Sequence, residues 1–157
     1  MDSANGIFDI STPLDFFSSI EQSFKKYKTE KTKSIELLLY VIMGLNHLRE
    51  WIAPGYNYED PPANDAEEFY RLIYSESSYK TINALCNRTK HLNTRDINTS
   101  SSYGIPFDKW SNFDSVRNID KGPVTNYFVD DINITEIIND VIDFYKKEWF
   151  KKKNLIP

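Results

Sequence analysis

His47 and His91 are the only histidines of this chain. Imidazole is the one side chain whose ordinary pKa suits proton transfer near neutral pH. Each histidine stands in a triplet at helical spacing. His47, Glu50 and Trp51 lie at i, i+3 and i+4, and Asn87, Lys90 and His91 repeat those intervals. On helices, each triplet therefore shares one face. Three chemistries fit these residues. A ribonuclease would use His91 as general acid or base, Arg88 or Lys90 against phosphate charge, and Asn87 to position the reacting group. A binding surface would use His47, Glu50 and Trp51 to hold RNA or a protein partner. A metal centre would take His47, Glu50 and His91, since two imidazoles and a carboxylate can hold zinc or iron. No His-x-x-x-His pair supports that centre, so neither a metal nor a cofactor is expected. Plainer roles stand beside these. His47, among Tyr40, Met43 and Trp51, reads as a core histidine with one satisfied ring nitrogen. His91, on a face with Lys80, Ala84 and Asn87, reads as exposed, and the small Ala84 would suit a groove floor or a close partner.

The elements that must position these groups are helical. Thr12-Pro13 is an N-cap followed by proline at the first helical position, and Leu14, Phe17, Ile20, Phe24 and Tyr27 continue at helical steps to about Lys28. A second helix spans about Ser34 to Ile52 and stops at Ala53-Pro54-Gly55. It carries one apolar stripe, Leu38, Val41, Ile42, Leu45, Leu48 and Ile52, and another of Tyr40, Met43, His47 and Trp51. Two apolar faces predict a central helix with neighbours on both sides. Asp65 opens a helix broken near Ser75–Ser78 and resumed through Ile82, Leu85, Cys86 and Thr89 to about Leu92. Cys86 falls on its inward stripe and reads as core packing, not as a nucleophile. His47 and His91 meet only if these helices bring their C-terminal ends to one pole.

Residues 93–114 read as a long loop rich in Ser, Thr and Asn, whose Tyr103, Phe107, Trp110 and Phe113 either clamp it down, the favoured reading, or dock a partner. Asp114 to Ile119 and Val124 to Val129 are expected as a hairpin around Asp120-Lys121-Gly122-Pro123. Asn133-Ile134-Thr135-Glu136 has capping-box spacing before a last helix that ends in lysines. The expectation is mainly α: a four- to five-helix bundle with a small β-hairpin before the C-terminal helix, one domain over 1–157, with residues 1–11 as a tail.

Bulk composition narrows the function classes. The net charge is −4 over 157 residues, so no global basic field draws in nucleic acid. Lys25, Lys26, Lys28, Lys31 and Lys33, with the C-terminal lysines, form a patch only if they are neighbours; otherwise they are a solvated face. One cysteine excludes an intrachain disulfide and suits a reducing, cytoplasmic setting. The first ten residues lack a basic start and a long apolar run, so no signal peptide is expected. Ile35 to Met43 is too short to span a bilayer. No P-loop, Gly-rich dinucleotide fingerprint, nucleophile elbow or kinase signature occurs.

Leu45-Asn46-His47-Leu48-Arg49-Glu50-Trp51, then Ile82-Asn83-Ala84-Leu85-Cys86-Asn87-Arg88-Thr89-Lys90-His91-Leu92, and the terminal Phe144-Tyr145-Lys146-Lys147-Glu148-Trp149-Phe150 resemble a group of small bacterial and phage proteins. That group looks related to the HEPN helical-bundle superfamily. The resemblance covers most of the chain from Ile35 onward. It implies a helical bundle, possible dimers, and a phage-defence, toxin–antitoxin or mobile-element setting. Many members are metal-independent ribonucleases whose motif is arginine, a spacer, then histidine. Arg88-Thr89-Lys90-His91 is the nearest match, with a shorter spacer. The resemblance thus implies a module binding RNA or a protein partner ahead of an active ribonuclease, with a purely structural or interaction protein as the remaining alternative.

Overall fold

Thr12 and Asp15 open the first helix by exchanging hydrogen bonds. Asp15 N donates to Thr12 Oγ1 at 3.1 Å, and Thr12 N donates to Asp15 Oδ2 at 2.9 Å. This capping box, with Pro13 at the first turn, starts α1 (Pro13–Thr29). The structure, a computed structural model, describes residues 7–30, 32–90, 97–104 and 124–157. Ser34 Oγ accepts from Leu37 N and caps α2 (Ile35–Ile52). Asn64 caps α3 (Asp65–Ser75) through Glu67 N. Extended backbone at Glu76 then separates α3 from α4 (Ser77–Lys90), where the sequence places a break.

Beyond α4 the chain makes a three-stranded antiparallel sheet: β1 (Thr99–Gly104), β2 (Val124–Val129) and β3 (Ile132–Asn133), in that order. The expected strand Asp114–Ile119 lies outside the described residues, as do Phe107, Trp110 and Phe113. The partner of Val124–Val129 is Thr99–Gly104, with Thr99 opposite Val129 and Gly104 opposite Val124. Part of the expected loop, Tyr103 included, is therefore strand. Its Thr-Ser-Ser-Ser run carries no apolar alternation, because Thr99, Ser100 and Ser101 are exposed on an outer strand.

Asn133 Oδ1 accepts from Thr135 N at 2.9 Å and caps α5 (Ile134–Tyr145) directly, in place of the expected reciprocal box with Glu136. A π-helical turn, Lys146–Phe150, completes the chain's last helix. It sends Phe150 onto Phe17 at 4.6 Å between ring centres and Trp149 onto Phe69 at 5.4 Å.

The core runs between α1, α2, α4 and α5. Phe17, Ile20, Phe24 and Tyr27 from α1 meet Leu38, Val41, Leu45 and Leu48 from α2 and Ile138, Val141 and Tyr145 from α5. Each fully buried large side chain contributes about 1.5–3 kcal/mol. The close approach of α1 to α2 depends on Gly44, where a Cβ would lie 2.8 Å from Ile20 Cγ1. Among the described residues, no helix is long and apolar enough to cross a membrane.

The outer face of α2 departs from expectation. Leu38, Val41, Ile42, Leu45, Leu48 and Ile52 are buried, but Ile35, Leu39, Tyr40 and Met43 stay 38–42% exposed. The cause is placement: α1 closes on α2 at Gly44 and α4 closes on it at Asn46. The arc between those two lines is left open. Part of the expected tail is ordered beside it. Ile7 and Ile10 exchange backbone hydrogen bonds across a tight turn in which Phe8 takes φ 54°.

Candidate functional site

His47 sits two-thirds of the way along α2, with its side chain 31% exposed. Its Nδ1 lies 3.1 Å from Glu50 Oε2, the i, i+3 neighbour the sequence supplies. Its Nε2 lies 3.9 Å from Cys86 Sγ on α4. His47 is therefore half-exposed and held at both ring nitrogens, not a core histidine. Trp51 is half-buried and packs on Phe16 of α1 at 4.9 Å, so it braces this face.

The row Cys86–His47–Glu50 has the order of nucleophile, base and orienting carboxylate. Cys86 is fully buried, however, and burial pushes its thiol pKa up. A sealed thiol with a raised pKa is a poor nucleophile, which agrees with Cys86 as packing. Among the described residues, no group of three or more His, Cys, Asp or Glu is placed to hold a metal.

Beside His47 runs a ladder of amides joining α2 to α4. Asn83 Nδ2 donates to Asn46 Oδ1 at 2.8 Å, and Asn87 Nδ2 donates to Asn83 Oδ1 at 3.3 Å. Tyr79 Oη donates to the Asn46 carbonyl at 2.8 Å. Of the residues proposed from sequence, His47 and Glu50 thus meet directly, and Asn87 is linked through Asn83 to Asn46, the residue before His47. Arg88 is half-buried on the same turn of α4, with its Nε enclosed and without an acceptor. Lys90 is exposed at the helix end. His91 lies outside the described residues. Ala84, placed by sequence on the polar face of this helix, is buried, which a small side chain against a close neighbour permits.

Two polar residues escaped the sequence reading. Asn46 and Arg49 are 5% and 8% exposed. Arg49 falls on the same helical face as Ile42, Leu45 and Ile52, and a charge on an apolar stripe was the available signal. Its guanidinium lies over Tyr70, Tyr74 and Tyr79 at 4.3, 5.0 and 5.3 Å.

On the other flank of His47 is a groove of about 380 Å³ lined by Ile7, Ile10, Phe16, Tyr40, Met43, Gly44, His47 and Trp51. It continues the open face of α2, and its lining is nearly all apolar. Among the described residues, lysines of α1 and of the chain's last helix are interleaved with carboxylates. Lys25 and Lys28 share a groove with Glu21, Asp143 and Lys146, and Lys146, Lys152 and Lys153 pair with Glu21, Glu148 and Asp65.

Comparison of the chain with protein-family models, with curated proteins and with solved structures gave no match.

Proposed function

We propose that this chain is a HEPN-like helical binding module whose recognition surface is the outer face of α2, and that the occupant of that face is a second copy of the chain. The observation that carries this reading is the spacing of the exposed Glu36, Tyr40 and Met43 and the half-exposed His47. Its intervals of four, three and four residues read the same in both directions. Two such helices packed antiparallel about a two-fold axis set each Glu36 opposite the second copy's His47 and each Tyr40 opposite its Met43. Polar residues at the ends and apolar contact in the middle suit a self-complementary face. The adjoining apolar groove offers room for a bulky side chain.

The RNA arm of this reading has less behind it. Phosphate affinity needs clustered cations, and the lysines here are interleaved with carboxylates. A ribonuclease centred on His91, with Asn87, Arg88 and Lys90, is the alternative. It predicts cleavage that survives EDTA and is lost in His91→Ala.

Sedimentation equilibrium at high micromolar concentration tests the pairing. Wild type is expected to be dimeric and Met43→Glu monomeric, with the two melting temperatures converging on dilution to where both are monomers. Glu36→Lys is expected to weaken the dimer, and adding His47→Asp to restore it. A monomeric wild type, or a dimer indifferent to Met43→Glu and Glu36→Lys, overturns the reading.

A further inference from the structure

Among the described residues, the most deeply buried charge is Arg49. It is 8% exposed, and its Nε and Nη1 are enclosed without a hydrogen-bond partner. A buried charge is ordinarily paired or hydrogen-bonded, because desolvation is costly. Among the described residues, no carboxylate lies within ion-pair distance of Arg49. Its sequence neighbour Glu50 turns to His47 instead. The rings of Tyr70, Tyr74 and Tyr79 surround the guanidinium, and their π-faces attract the cation. Such faces compensate its charge but accept none of its N–H groups in the plane of the fork, so the donors remain unspent.

We propose that Arg49 and its tyrosine enclosure form a receptor for a phosphate group. The planar fork of arginine matches a phosphate edge, offering two parallel donors. Tyr79 spends its hydroxyl on the Asn46 carbonyl. Tyr70 and Tyr74 make no hydroxyl hydrogen bond among the described residues, so both hydroxyls remain available as donors. A second cation stands nearby. Arg71 lies 5.1 Å over Tyr58, donates from Nε to Tyr56 Oη at 2.8 Å and from Nη2 to the Tyr58 carbonyl at 2.8 Å. Tyr58 is 48% exposed and its ring centre is 5.4 Å from that of Tyr74. Tyr58 thus carries the aromatic row from the enclosure to the surface. The phosphate is that of the free anion or of a nucleotide ester; the donor chemistry is the same.

The test uses the full chain. The Arg49 Nε–H resonance and the melting temperature are followed in inorganic phosphate, in a nucleoside monophosphate, and in sodium chloride at matched ionic strength. Phosphate is expected to shift the resonance and to raise the melting temperature with the logarithm of its concentration above saturation. Tyr74→Phe, which keeps the ring, is expected to weaken binding several-fold, and Arg49→Lys, which keeps the charge, to abolish it. Tighter binding of the nucleoside monophosphate assigns the site to a nucleotide, and equal binding to the free anion. No response in wild type beyond that to chloride overturns the proposal. So does a response that persists in both variants, because it places the anion elsewhere.

Discussion

Tyr79 and Asn46 tie α4 to the middle of α2: the tyrosine hydroxyl donates to the asparagine carbonyl at 2.8 Å and lies 3.3 Å from its side-chain oxygen. Both residues are buried. The Asn46 amide also receives Asn83, so one asparagine closes a polar network inside an apolar interface. Replacing its side chain strands the Asn83 amide, while Tyr79 keeps the backbone carbonyl of residue 46. Asn46→Leu is expected to cost about 1–3 kcal/mol, the usual penalty for orphaned buried polar groups. Tyr79→Phe is expected to cost nearer ~1 kcal/mol, because Asn46 keeps the Asn83 bond. Urea denaturation checks both: the midpoint falls while the slope stays constant.

His47 offers a contrasting case. Its side chain is 31% exposed and that of Glu50 53%, so solvent screens the pair. Exposed pairs of this kind contribute about 0–1 kcal/mol. His47→Ala is therefore expected to melt within a few degrees of wild type. A larger loss, measured by thermal unfolding, returns His47 to the core role that its sequence neighbours suggest.

Gly44 sets the spacing of α1 and α2. A Cβ there would lie 2.8 Å from Ile20 Cγ1 and 2.9 Å from Ile20 Cδ1. Gly44→Ala is expected to cost about 1–3 kcal/mol through overpacking. Adding Ile20→Ala should open the space, so the double variant should lose less than the sum of the two single losses. A double-mutant cycle measures that coupling. Additive losses would show that the two residues do not share the strain.

Alkaline pH probes the tyrosine-rich core. Burial pushes the pKa of Tyr27 up to about 12, and burial raises those of Tyr79 and Tyr145 as well. An acid with a raised folded-state pKa binds its proton more tightly when folded. The stability it contributes is present below the unfolded tyrosine value near 10 and is lost as pH rises toward the folded value. Midpoints of urea unfolding should decline above roughly pH 10. Tyrosinate absorbance should appear in two phases, exposed rings first and these three only on unfolding. A single early phase would contradict their burial.

Much of the frame was readable locally. Thr12-Pro13 and Ser34 mark helix starts because a cap is decided within four residues, and the start at Asp65 is capped by the residue before it, Asn64. The α3–α4 break follows from the serines near residue 76. The open face of α2 was not readable, because hydropathy shows that a face is apolar but not whether a neighbour arrives to cover it. β1 was hidden because an outer strand with exposed side chains needs no apolar alternation. The candidate site divides the same way. His47 and Glu50 share a face by spacing alone, whereas the contact with Cys86 and the enclosure of Arg49 join residues far apart in the chain.

The sheet has a further consequence for how the chain folds. Helices α1 and α2 are sequence neighbours that pack on one another, and such local pairs form early because closing a short loop costs little entropy. The pairing of Thr99 with Val129 spans a long stretch of chain. β3 then leads directly into Asn133, which caps α5. Folding should therefore be polarised, with the helical hairpin in the nucleus and the sheet closing late. Substitutions at Gly44 would slow refolding, while substitutions in β1 would mainly hasten unfolding.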